Sequence, residues 1–140
     1  MLNKTMVNQR LTFISNYCNK MERLSVSSEG DFIGSEKAAA AESYLRRSIE
    51  AMFDIGRHIL AKSGTVELAQ EYKSIAKGLK ELEVVDENLG ETMIRIAGYR
   101  NRMVHMYNLI SDEEIYSIIK NELNDLKAFV KQVHEYINKA

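Results

Sequence analysis

A chain of 140 residues with 45% hydrophobic content has the size of one domain, taken as 1–140, and can bury a core without disulfide or metal staples. Nineteen Lys and Arg against twenty Asp and Glu leave a net charge of −1, which excludes the overall basic character of a nonspecific nucleic-acid binder and makes any RNA contact local. The single cysteine, Cys18, excludes an intramolecular disulfide, and in the first helix it reads as a small buried apolar residue in a reducing compartment.

Proline is absent and apolar residues recur at three- and four-residue steps rather than alternating, so the chain is expected to be all-α. The first twenty residues interleave Asn, Lys, Gln and Arg with apolar positions, leaving no signal h-region. No stretch approaches membrane-spanning length, and a cytoplasmic protein with no membrane contact is expected. Val7, Leu11, Ile14, Cys18 and Met21 form a stripe of period about 3.5 on a first helix. Ser25 to Gly34 reads as a loop. Ser35 and the run Glu36 to Ala41 begin a second helix that stops at Ser63-Gly64. Its Ile49, Met52, Phe53 and Leu60 share one face while Tyr44, Ile55 and Ile59 occupy another, which places this helix centrally. A third helix is expected from near Thr65, with Leu68, Tyr72, Ile75, Leu79 and Leu82 in phase. A fourth follows the N-cap candidate Asp86, with Leu89, Met93, Ile96, Ala97 and Val104 as its stripe. Ser111-Asp112-Glu113-Glu114 has capping-box form for a last helix carrying Ile115, Ile119, Leu123, Leu126, Val130, Val133 and Ile137. About five helices with short connections imply an antiparallel helical bundle, with no repeat and no second domain.

Chemistry concentrates in Arg100-Asn101-Arg102-Met103-Val104-His105-Met106-Tyr107, at the end of the fourth helix. At about 100° per residue, Arg100 falls within the apolar stripe, where a guanidinium needs a partner, an anion or a wet interface. On an unbroken helix His105 would lie roughly opposite Arg100, so a helix end near Val104 is needed to let them converge. Arg95 and Arg102 add charge and make a local phosphate site plausible. On spacing alone a second possibility stands beside this one: Arg100 pairs with a carboxylate such as Asp54 or Glu50, and His105 hydrogen-bonds carbonyls at a helix end. No Glu-x-x-His pair occurs for a ferritin-like metal site. His58, four residues after Asp54, makes at most a two-residue metal pair and is read as structural or interfacial. His134 is read as solvated. No Gly-rich phosphate loop and no Ser or Cys nucleophile setting is present, and neither a cofactor nor a metal is expected.

The octapeptide resembles the R-x-x-x-x-H-x-Y signature of HepT-like proteins, a branch of the HEPN superfamily. Residues Tyr44 to Ala61 are similar to that family's second helix, and the order of helices matches from about residue 5 to 138. The resemblance implies a HEPN-like bundle that dimerises, bringing two Arg-x-x-x-x-His motifs to a shared cleft that acts as a metal-independent RNase. It further implies a small nucleotidyltransferase antitoxin that modifies the motif's tyrosine, here Tyr107, with AMP. Arg100 and His105 are then the catalytic residues, with Asn101 and Arg102 in support. The chemistry is self-consistent, since RNA supplies the 2′-OH as nucleophile and needs only a base and a cation for the phosphorane charge. A histidine with an ordinary pKa near 6.5 suits the first task, and a permanently charged, bidentate arginine suits the second. A dimer cleft would also give Arg100 a polar setting on its apolar face. Two functions remain open: an endoribonuclease toxin, and a non-catalytic helical module that positions substrate for a nucleotidyltransferase partner. Tyr107 has its own alternative, because seven residues after Arg100 it is in phase to pack on the fourth-helix stripe.

Overall fold

The computed structural model describes residues 2–64, 71–104 and 110–139. Among these the chain forms α1 (Lys4–Leu24), α2 (Glu29–Phe32), α3 (Glu36–Lys62), α4 (Tyr72–Glu81), α5 (Glu87–Val104), α6 (Asp112–Asn121) and α7 (Leu123–Asn138), with no strand. The all-α bundle is as expected. None of the described helices is long and apolar enough to cross a membrane.

Helix boundaries follow side chains that satisfy the orphan N–H groups of each first turn. Asn3 accepts from the Met6 amide at 3.0 Å, Ser35 from Lys37 at 3.2 Å, Asp86 from Leu89 at 2.7 Å and Ser111 from Glu114 at 3.2 Å. At the other end of α3, Ser63 is the C-cap and Gly64 follows with φ of +89°, a left-handed conformation that glycine adopts without steric cost. The α1 stripe Val7, Leu11, Ile14, Cys18 and Met21 is buried throughout, and burial pushes the Cys18 thiol up to about 11, as befits an inert apolar residue. Helix α3 touches α1, α2, α4, α5 and α6, and it buries Ile49, Met52, Phe53 and Leu60 on one face and Ile55 and Ile59 on another.

The structure departs from the expected elements in three places. The 25–34 segment is not simply a loop: Ser28 caps the short α2 by accepting from Asp31, and Phe32 is fully buried. Its hold is tertiary, because α6 supplies the Tyr116 hydroxyl and Lys120 ammonium to the carbonyls of Ser27 and Ser25 at 2.7 and 2.9 Å. Tyr116 also packs on Phe32 with ring centroids 5.1 Å apart. Second, the expected last helix divides at Glu122, whose φ of −121° and ψ of 5° leave the helical region, so that with α2 the described residues form seven helices where about five were expected. The division lets α6 lie against α1, α2 and α3 while α7 packs on α1 and α5. Along α7, Phe129 is fully buried and Val130 only half-buried, a shift of one position from the expected stripe. Third, Val104 is 45% exposed instead of closing the α5 stripe. The expected start of the third helix near Thr65, with Leu68, lies outside the described residues; α4 runs from Tyr72 with Ile75 and Leu79 buried as expected.

Helix α4 approaches α3 at Gly56. A Cβ there would stand 2.6 Å from Ile75 Cγ2 and 3.0 Å from Leu79 Cδ1, well inside the roughly 3.5–4.0 Å carbon–carbon optimum. Alanine would add up to about 1 kcal/mol of helix propensity, but Ile75 is fully buried and its branched methyl has nowhere to swing. Overpacking of this kind costs about 1–3 kcal/mol. Gly56→Ala is therefore expected to lower the melting temperature by several degrees in thermal circular dichroism; an unchanged or raised midpoint would show that α4 yields without cost.

Candidate functional site

Three arginines expected to concentrate positive charge do lie on α5, and each is met by a carboxylate from another part of the chain. Arg100 is 24% exposed at its side chain, and its Nε donates to Glu50 Oε1 on α3 at 2.7 Å. The phenol of Tyr72, at the start of α4, donates to the other Glu50 oxygen at 3.0 Å. The Tyr72 ring also lies under the guanidinium, with Arg100 Cζ 4.0 Å from its centroid, a close cation–π contact. Tyr72 is in turn set edge-on to Phe53, with centroids 5.0 Å apart. The guanidinium is thus clamped between an anion and an aromatic face. Among the described residues its outer edge is engaged only by Asn101 Oδ1, 3.4 Å from Nη1.

Arg102 points to α6, where both its Nη atoms donate to Glu114 at 2.7 and 2.6 Å in a bidentate fork. Glu114 occupies the third position of the expected capping box, but its carboxylate is turned to Arg102, so the box is built only from the Ser111 side. Arg95 meets Glu122 at 3.2 Å and Asp125 at 3.6 Å, beside the break between α6 and α7. Tyr99 donates to the same Glu122, and its phenol is pushed up by burial and by that neighbouring carboxylate.

The hydrogen bonds from Arg102 hold the Glu114 carboxyl below its ordinary value of 4.5. A depressed carboxylate pKa means stability that is present above the unfolded value and is lost as pH falls through the folded one. Glu114→Gln is accordingly expected to destabilise the protein modestly at neutral pH, with the gap to wild type closing once pH drops well below 4.5. Paired urea titrations at the two pH values check this; a gap independent of pH would assign the loss to packing.

Glu50 was one of the two possible partners for Arg100, and the structure chooses it; Asp54 pairs with Arg57 at 2.9 Å instead. His58 does not join Asp54 in a metal pair, since its Nε2 accepts from the Asn3 amide at 3.1 Å and burial together with nearby cations holds its pKa down. His134 is exposed beside Asn138. No group of three or more His, Cys, Asp or Glu among the described residues is placed to hold a metal ion. His105 and Tyr107 lie outside the described residues, which end on this side at Val104. The contributions of Tyr72 and Glu114 were hidden in the sequence, one inside an apolar stripe and the other inside a capping motif.

Residues 14–133 match the family described as ribonuclease HepT-like. The chain is 24% identical over 132 residues to the tRNA nuclease HepT of Aphanizomenon flos-aquae, covering 94% of this chain and 89% of that protein. It is 30% identical over 95 residues to a candidate RNase of Archaeoglobus fulgidus, covering 68% of this chain and 70% of that one. Among solved structures, it superposes on a tri-AMPylated Shewanella oneidensis HEPN toxin in complex with MNT antitoxin with a TM-score of 0.79. That match covers 96% of this chain and 99% of the other at 18% identity, and it establishes a shared fold.

Proposed function

Because this chain belongs to the HepT-like ribonuclease family, we propose that it is the metal-independent endoribonuclease toxin of a toxin–antitoxin pair, acting on cytoplasmic RNA through Arg100 and His105. The observation that carries this is the posture of Arg100. Glu50 takes its Nε and Tyr72 covers one face, so the guanidinium is held in one orientation while, among the described residues, only Asn101 engages its outer donors. Preorganised charge of this kind is what a developing phosphorane needs. His105, five residues on, takes the proton from the 2′-OH; the 2′-oxygen attacks phosphorus, the bond to the 5′-oxygen breaks, and the departing oxygen takes up a proton. A 2′,3′-cyclic phosphate results. Asn101 and Arg102 are proposed as supporting contacts to neighbouring phosphates, Arg102 through the N–H groups that its fork to Glu114 leaves over.

The working unit in this proposal is a homodimer whose cleft is lined by the end of α5 from both copies. Support comes from the exposed Val104 and the partly exposed Arg100 on that helix, which leave an apolar residue and a charge at a surface suited to a two-fold contact. The proposed partner is a minimal nucleotidyltransferase antitoxin that attaches AMP to Tyr107. A HEPN toxin of the same fold is AMPylated and complexed with an MNT antitoxin, which supports this assignment.

One observation favours a second function. The Arg100–Glu50 pair is what a structural strut looks like, and a strut would suit a non-catalytic module presenting substrate to a nucleotidyltransferase. Incubation of the purified chain with total RNA in EDTA separates the two. Cleavage that survives chelation and leaves 2′,3′-cyclic phosphate or 3′-phosphate ends is expected; cleavage abolished by EDTA, or 5′-phosphate ends, would overturn the mechanism.

A further inference from the structure

Helix α1 carries a second stripe, Met6, Arg10, Phe13, Tyr17 and Lys20, each residue one position before a member of the buried stripe. It therefore runs along the flank of the helix, and it borders α3 across a groove of about 450 Å³ lined by Arg10, Phe13, Arg46, Arg47 and Glu50 among others. The contents of this seam differ from the α5 cluster. Arg10 Nε contacts Met6 Sδ at 3.1 Å, Arg47 donates to the Tyr17 hydroxyl at 3.2 Å, and Lys20 stands over the rings of Tyr17 and Tyr44 at 5.6 and 5.4 Å. Among the described residues none of these three cations meets a carboxylate, which leaves their charge for an outside anion. The acidic groups of the seam are already matched, Glu42 by Arg46, Glu50 by Arg100 and Asp54 by Arg57. Aromatic rings are interleaved with the cations. Tyr17 and Tyr44 stack on each other at 5.0 Å, while Phe13, edge-on to Tyr17 at 4.3 Å, remains 41% exposed.

Cations that track a backbone beside an exposed ring make the combination that holds single-stranded nucleic acid. The seam also runs past the α5 cluster: Glu50 lines its α3 wall and is the residue that grips Arg100. We propose that the α1–α3 seam is the binding track for a single RNA strand, with Arg10 and Arg47 on its phosphates and Phe13 beneath a base, delivering the strand to Arg100. This rests on the ribonuclease function proposed above and extends it to substrate binding.

The test uses the full chain and a fluorescein-labelled 2′-O-methyl oligonucleotide of about twelve nucleotides, a length typical of single-strand sites. Its blocked 2′-oxygen cannot attack phosphorus, so anisotropy reads binding apart from cleavage. Arg10→Ala/Arg47→Ala is expected to raise Kd tenfold or more and to reduce the slope of log affinity against log salt by about 1.4, about 0.7 per lost phosphate contact. Phe13→Ala is expected to weaken binding at least fivefold through lost stacking. Lys131→Ala on α7 should leave affinity unchanged. Circular dichroism confirms folding, since none of the substituted side chains is part of the core. Wild-type affinity in the double variant, or no binding by the wild-type chain, overturns the track. If that variant binds normally while the wild type cuts RNA, the track fails and the ribonuclease stands; if binding falls as expected but the wild type never cuts, the ribonuclease fails and the track stands. Conversion of a dimer to a monomer by these substitutions, seen by light scattering, would make the seam a contact between copies and overturn the RNA assignment.

Discussion

Arg100→Ala and His105→Ala are each expected to lower RNA cleavage by about a hundredfold or more, the loss that follows removal of a transition-state cation or a general base. The two variants fail for different reasons. Without His105 the 2′-OH keeps its proton at neutral pH. Without Arg100 the phosphorane charge develops with no fixed counter-charge, and Glu50 is left half-buried beside Tyr72 with its cation gone. That second consequence can unsettle the junction of α3, α4 and α5, so the melting curve of Arg100→Ala must accompany its activity. Arg100→Lys supplies the control: it restores a charge near Glu50 but not the planar fork that grips two phosphate oxygens. A folded Arg100→Lys protein that is still strongly impaired assigns the loss to phosphate contact. Wild-type cleavage by folded Arg100→Ala or His105→Ala moves the site elsewhere. In cells, expression without the partner should arrest growth and His105→Ala should relieve the arrest; a helical module that only positions substrate would do neither.

Tyr107→Phe is expected to retain ribonuclease activity yet escape neutralisation by the co-expressed nucleotidyltransferase. Two residues beyond His105, the phenol is proposed as an acceptor for AMP rather than as a proton carrier, so its loss spares the chemistry. Attachment of AMP two residues from His105 would, under this proposal, add a bulky anion that obstructs the RNA and competes for Arg100 through charge-assisted hydrogen bonds. Arg102 is already in a bidentate pair with Glu114, which makes Arg100, with its less occupied outer edge, the preferred anchor for the adduct. Intact and peptide masses after co-expression decide the matter: AMP adducts should map to Tyr107 and vanish in the Phe variant. Adducts at another residue, or a Tyr107→Phe protein that is still neutralised, would refute the switch.

Helix type and phase were readable because they are local. The α1 stripe, the caps at Ser35, Asp86 and Ser111, and the stop at Ser63-Gly64 each depend on residues within a few positions of one another, and periodicity reports such relations directly. The short α2 and the break at Glu122 were not readable, because both are held by groups far along the chain. Phe32 is packed by Tyr116, and Glu122 is drawn to Arg95 and Tyr99. The core residue Phe129 escaped the expected stripe for a related reason, since the helix that carries it starts anew at Leu123 and packs chiefly on α1.

The amino-acid sequence by itself determined that this protein is all-helical and that Arg100 lies on the inner side of its helix, since composition and phase are properties of neighbouring residues, and its resemblance to HepT-like proteins pointed to the family that the comparison shows. It left two partners for Arg100 open, Asp54 and Glu50, which lie four residues apart on one helix. Only the tertiary structure chose Glu50, because the choice depends on where α4 settles. Gly56 lets that helix come close, Tyr72 then reaches both the guanidinium and Glu50, and Asp54 is left to Arg57. Charge pairing between helices is decided by side-chain reach across a packed interface, and no spacing along a single helix encodes it.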